Sequence, residues 1–397
     1  MGKNFSLGRL VISLCLAAST LLVSWAAGQE QTSTGKTVPV AGTKSASAST
    51  AQPAEDWTKL KVGDTSLVMK RPELAERDDI PNSGFIRDRY EANWRNHDLF
   101  DLYVIRPKGT AKVPVILYIY SMPEDTDQFK NNHWCETAVS GGYAAVGFVG
   151  AVTGHRTRFR PLKEWFVSEM PEALGGTVHD VQLILDFLTT RSDLDLERVG
   201  IFASGSGAAI AIMASAVDPR IHVLDLLGPW GDWPKWTAES KIIPNDERAN
   251  YVKPDFLAKV KPLDPVDWLP KVQAKAVRIQ DIRGNKSVPD DAEKSLEAAA
   301  PDFAMINEFG NGRAFLANGS PISLFDWIKE QVKTDGQSQV TLEKSERIHF
   351  YPALEAPPQA VPNVGALDTT KPPAAAKPVD GKQPDNPKAP PNADKNN

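Results

Sequence analysis

The segment best suited to chemistry runs Arg198-Val199-Gly200-Ile201-Phe202-Ala203-Ser204-Gly205-Ser206-Gly207-Ala208. An apolar run leads into four small residues and then into an alanine-rich stretch. This is the strand-turn-helix pattern of a nucleophile elbow, in which small residues flank a sharp turn so that one side chain stands exposed. Ser206 has small residues two positions to either side, Ser204 and Ala208, so its hydroxyl is a candidate nucleophile. Such a serine needs a base. The histidines are His97, His133, His155, His179, His222 and His349. His155 follows the apolar run at 144–149 and is the best placed of them, with Asp281 as a candidate acid. No Cys or His spacing suits a metal, and no cofactor is expected. His179, just before Asp180, reads as an exposed helix residue.

These residues need a scaffold, and the sequence describes one. Short apolar runs occur at 99–105, 113–120, 144–149, 199–203, 221–227, 276–280 and 303–307. Near-continuous runs of this kind are what strands buried on both faces look like. Helical patterns lie between them. Val178, Val181, Ile184, Leu185 and Leu188 share one face. Residues 208–217 are rich in Ala and Ile, 291–300 are strongly helix-forming, and 321–332 carry an apolar stripe. The alternation predicts an α/β domain with a mostly parallel sheet and helices on both faces. A longer excursion at 229–270 holds Trp230, Trp233, Trp236 and Trp268, and it predicts a Trp-rich cap. Tryptophan mostly serves as buried bulk, although its face also suits sugar rings. The carboxylate pairs Asp78-Asp79 and Asp290-Asp291 read as turn and helix-start residues.

From residue 106 to 332 this pattern resembles the α/β-hydrolase superfamily, within it the dienelactone hydrolase and prolyl-oligopeptidase-like branch. The resemblance is most specific at 177–229. It implies a Gly-x-Ser-x-Gly elbow, an acid after a later strand and a histidine after the last one. Counted from the strand, the motif falls on Ala203-Ser204-Gly205-Ser206-Gly207, which puts Gly205 at the tip. The acid position falls in Asn285-Lys286-Ser287-Val288-Pro289 and is Asn285. The histidine position falls in Gly310-Asn311-Gly312-Arg313-Ala314-Phe315 and is Arg313. The oxyanion segment, His-Gly in the family, is Ser121-Met122 here. All four positions are substituted. Glycine adopts the elbow's positive φ without strain, asparagine cannot hold an imidazolium by charge, and arginine cannot act as a base near neutral pH. The resemblance therefore implies a hydrolase fold kept without its reaction, with catalysis through Ser206, His155 and Asp281 as the alternative.

Loops at the carboxyl ends of parallel strands form the pocket of such a fold. Here they are basic: Arg156, Arg158 and Arg160 follow one strand, and Lys286 and Arg313 sit at the substituted positions. A helix starting at Ser206 would aim backbone N–H groups at the same place. A small anionic ligand or an acidic group is the partner this predicts. The bland reading pairs the arginines with Glu164, Glu169 and Glu172 or leaves them to water.

The ends of the chain do not read as globular. Residues 1–28 combine Lys3 and Arg9 with an apolar stretch from 10 to 25 and small residues at 26–28, a secretory signal with cleavage near Gln29. Residues 29–55 read as a disordered spacer and 351–397 as a disordered tail rich in Pro, Ala and Lys. The folded domain is expected at 56–350, about 295 residues and near the limit of a single core. Only Cys135 would survive cleavage, so no internal disulfide is expected. The formal net charge of −5 gives no reason to expect nucleic acid as a partner. No second stretch is long enough to span a membrane, and the protein is expected outside the cytoplasm.

Overall fold

The computed structural model of the protein describes residues 55–109, 111–122, 126–151, 153, 156, 169–285, 287–319, 324–337 and 347–355. The expected signal segment, the spacer up to 54 and the tail beyond 355 lie outside them, and every element below falls in a unit ending at Leu354. None of the described helices is long and apolar enough to cross a membrane.

The apolar runs are strands, and three further strands, at 73–78, 85–92 and 348–351, join them. They are β1 (Glu73–Asp78), β2 (Phe85–Ala92), β3 (Phe100–Pro107), β4 (Val113–Ile119), β5 (Ala144–Phe148), β6 (Leu194–Ser204), β7 (Val223–Leu227), β8 (Ala276–Ile282), β9 (Met305–Phe309) and β10 (Ile348–Tyr351). One sheet holds them in the order β1-β2-β3-β5-β4-β6-β7-β8-β9-β10. The joins β1–β2, β2–β3 and β3–β5 are antiparallel and all the others are parallel. Every residue of β4 is buried, as a central strand covered on both faces requires. Pro114 interrupts that strand without breaking it, because the register with β6 shifts between Pro114 and Val115, where the missing N–H is tolerated.

Helices α1 (Asn132–Val139), α2 (Met170–Thr189), α3 (Ser206–Val217), α4 (Trp233–Glu239), α5 (Asn245–Tyr251), α6 (Pro254–Val260), α7 (Asp290–Ala299) and α8 (Asp326–Lys333) cover the sheet. Cys135, Ala138 and Val139 of α1 and Ile328 and Val332 of α8 share one apolar cluster with Ile116, Tyr118 and Phe202. On the other face α2, α3 and α7 join a larger cluster with Val115, Leu117 and Ile201. Residues 229–270 form a small helical cap on that second face, α4 to α6 and short turns, touching α2, α3 and α7. Trp230, Trp233 and Trp236 point inward and are buried there, so these three serve as bulk.

A strap formed by residues 55–67 runs across α2. Val62 N–H donates to Gln182 Oε1 at 3.0 Å, and Gln182 Nε2 donates to the Leu60 carbonyl at 2.7 Å. Glu55, the last residue of the expected spacer, is tied down by Arg95 and His179.

Candidate functional site

From β4 the chain turns back to β5 on one side, and β6 then lies on the other. The carboxyl ends of β4 and β6 therefore flank the point where the strand order reverses, which is where open α/β sheets place their ligands. Ser121-Met122 follows β4 there, and Gly205 follows β6.

Gly205 has φ +53° and ψ −120° and links β6 directly to α3. This is the sharp strand-to-helix turn of an elbow, held by a hydrogen bond from Gly205 N–H to the Leu227 carbonyl (3.0 Å) and another from Trp230 N–H to the Gly205 carbonyl (3.2 Å). The space a tip side chain would use is filled. A Cβ at 205 would lie 2.4 Å from Ser121 Oγ, 2.8 Å from Ser121 Cβ and 3.0 Å from Trp230 Nε1. Gly207 is small for a different reason: a Cβ there would sit 2.2 Å from the Ile119 carbonyl oxygen, so α3 seats directly on the end of β4.

Ser206 is the first residue of α3 and fully buried. Its Oγ accepts a hydrogen bond from Met122 N–H at 2.8 Å. Its own N–H makes a longer bond, 3.4 Å, to Ser121 Oγ, and the two hydroxyl oxygens are 3.5 Å apart. In an active elbow the N–H after the nucleophile and one from the first βα loop together stabilise the oxyanion. Here both groups are spent on the protein's own hydroxyls. Ser121 and Ser206 plug the hole from inside.

Among the described residues, no hydrogen bond joins Ser206 to Asn285, Arg313 or Asp281. Asn285 lies past β8 and closes an Asx turn, its Oδ1 accepting from Ser287 N–H (3.0 Å) and Ser287 Oγ (2.7 Å). Arg313 is exposed in the turn after β9, where Asn311 Oδ1 caps the chain by accepting from Ala314 N–H at 2.9 Å. Asp281 is buried in β8, and no described residue gives either carboxyl oxygen a hydrogen-bond partner. His155, Arg158, Arg160 and Lys286 lie outside the described residues. Of the other histidines, His97, His133 and His349 are exposed, and His222 precedes β7, at the end of the sheet away from the elbow, where it bonds Asp335 at 2.6 Å.

Two expectations are corrected. Arg156, expected to bind a ligand, to pair with Glu164, Glu169 and Glu172 or to face water, is turned into the protein and pairs with Asp98 and Asp180. It is 3% exposed, bonds Asp180 (2.8 Å), the Val149 carbonyl (3.0 Å) and both oxygens of Asp98, and lies 4.2 Å from the Phe100 ring centroid. His179 is not an exposed helix residue but is fully buried, between Glu55 and the Lys59 carbonyl. Together Glu55, Arg95, Asp98, Arg156, His179, Asp180 and Trp94 make a polar network. Although burial opposes it, Arg95 and Arg156 hold the Asp180 carboxyl down to about 2. No local pattern announces this network, whose members come from four separate stretches.

Two clefts stand out among the described residues, and neither is at the elbow. One, of about 550 Å³, lies beside Thr58, Pro262, Trp268 and Lys271; the other, of about 300 Å³, lies among Glu76, Arg87, Arg89 and Asp101.

The strand order, the reversal at β4 and the elbow at Gly205 define the α/β-hydrolase fold. Solved structures agree at the level of fold. Acetyl xylan esterase 1 from Thermoanaerobacterium sp. JW/SL YS485 matches with a TM-score of 0.50 and 13% identity, over 63% of this chain and 86% of that one. The acetyl xylan esterase from Paenibacillus sp. R4 matches with a TM-score of 0.50 and 14% identity, over 64% and 85%. No protein-family sequence profile matches the chain, and no curated protein matches it.

Proposed function

We propose that this is an exported α/β-hydrolase-fold protein that does no acyl-transfer chemistry at its elbow and serves in binding or in structure. One observation carries the reading: the only hydroxyl in register to replace the missing nucleophile, Ser206 Oγ, is buried and engaged by Met122 N–H. A nucleophile must reach both its base and the substrate carbonyl, and this one faces the end of β4. An acidic ligand at this end of the sheet would meet the exposed Arg313 and not Arg156, which is buried and bonds within the protein through all three nitrogens.

The specific observation favouring the alternative, a serine hydrolase acting through Ser206, is that two of the matching structures are esterases by name. A fluorophosphonate probe and a panel of short-chain nitrophenyl esters, applied to the mature protein, separate the two readings. The expected result is no labelling and no turnover above that of the Ser206→Ala variant. Labelling that Ser206→Ala abolishes would overturn the proposal. Export is tested separately by N-terminal sequencing of the protein recovered from outside the cytoplasm, with Gln29 expected as the first residue.

A further inference from the structure

Asp281 of strand β8 and Glu293 of helix α7 lie near one another, and among the described residues neither is paired with a cation. Asp281 is 2% exposed, and both its oxygens are without a hydrogen-bond partner. Glu293 on α7 is 6% exposed, and its Oε1 is unpartnered too. Sheet register sets Glu308 of β9 beside Asp281, and paired residues point to the same face of a sheet. Asp290 and Glu297 lie about one helical turn before and after Glu293 on α7.

Among the described residues, the nearby cations are engaged elsewhere. Arg283 pairs with Glu308 at 2.7 Å, Lys294 with Asp291 at 3.0 Å, and Arg347 turns to the carbonyls of Ala300 and Pro301. Lys235 of α4 reaches Ser295 and Asp232. An unpaired, buried carboxylate is strongly disfavoured, so such a group takes up a proton instead. Apolar anchoring of α7 is modest: Ala292 and Leu296 are its buried apolar residues, and a ten-residue helix does not hold itself together in water.

We propose that α7 is a proton-operated latch, held in place while Asp281 and Glu293 are protonated and loosened when they ionise. Burial first, and then the charges of the neighbouring carboxylates, push both groups upward. For Glu293 those neighbours are Asp290, Glu297 and Glu308, and it is raised to about 7 even with Arg283 acting against the shift. Asp281 is raised well above the ordinary aspartate range by Glu293, Glu297 and Glu308. Glu297 is raised as well, by burial and then by Glu308, with Arg283, Lys294 and Arg347 opposing.

Hydrogen exchange by mass spectrometry on the mature full-length protein, from pH 5 to 8.5 and corrected for intrinsic rates, tests the latch. Protection of α7 peptides is expected to fall with pH, by up to about tenfold per unit for each ionising carboxyl, while α3 peptides hold theirs. Asp281→Asn with Glu293→Gln is expected to flatten the α7 response. Glu293→Gln alone, a near-isosteric change at the edge of the cluster, is expected to reduce it should the double variant fold poorly. Constant α7 protection in the wild type, or an unchanged slope in Glu293→Gln, would overturn the proposal.

Discussion

At residue 205 two independent obstacles stand against a serine, and they can be separated by experiment. The backbone sits at φ +53°, which costs an L-residue about 1–3 kcal/mol. The second obstacle is steric, because the new Cβ would fall 2.4 Å from Ser121 Oγ, and overpacking of this kind adds about 1–3 kcal/mol. Gly205→Ser is therefore expected to lower stability in urea by about 2–6 kcal/mol without conferring ester turnover. Adding Ser121→Gly relieves the two closest contacts, with Ser121 Oγ and Cβ, at the loss of the long bond from Ser206 N–H. Urea unfolding should then recover roughly half of the loss; full recovery would show that the backbone term is negligible. Ser206→Ala acts differently, since it leaves Met122 N–H buried without its acceptor. That change is expected to cost about 1–3 kcal/mol, and an unchanged unfolding midpoint would show that this bond does not hold α3 to β4.

At the scale of elements, legibility follows the range of the interactions. Strands β4 and β6 and helix α3 are readable because unbroken apolar runs and a crowd of small residues are local signals. Gly205 is readable as the tip for the same reason, since the count runs along one strand. That Ser121 fills the hole is not readable, because it joins residues 85 positions apart. His179 is misread for the same cause: a strap 120 and 124 positions earlier in the chain buries it. Arg156 reads as a loop cation because its partners, Asp180 and Asp98, stand 24 and 58 positions away. Those partners make α2 the element that organises the N-terminal side. Asp180→Asn leaves Arg95 and Arg156 with buried charge that nothing fully answers, and breaking a buried pair this way costs about 3–5 kcal/mol. Calorimetry should show a large drop in Tm, together with early proteolysis at residues 55–67. If the strap stays protected while Tm falls, the network supports the sheet and not the strap.

Over the whole molecule the two buried polar groups respond to acid in opposite directions, and the pH profile of stability follows from their signs. Asp180 is held down to about 2, and Glu55 is lowered, with burial opposing the pull of Arg95 and His179. Such groups bind fewer protons folded than unfolded, so their contribution is present above the ordinary carboxyl range and is lost as pH falls toward the folded values. Asp281 and Glu293 are raised, the latter to about 7. They bind more protons folded than unfolded, so their contribution is full below the ordinary range and is lost as pH rises through the folded values. Lys329 adds a feature on the alkaline side. Burial lowers it to about 8 while its Nζ donates to the Thr137 carbonyl and Ser140 Oγ, so the penalty of its charge is relieved as pH climbs past that value. The three together place maximum stability in the weakly acidic range, near pH 4–5, where Asp180 is ionised and Asp281 and Glu293 are still protonated. Thermal unfolding from pH 3 to 9 should give a Tm that peaks there and declines through neutrality. The decline between pH 5 and 8 should shrink in Glu293→Gln, whereas the fall below pH 4 should not change. A profile that peaks above pH 7 would mean that the carboxyls of β8 and α7 find a cation in solution and are not governed by protons alone.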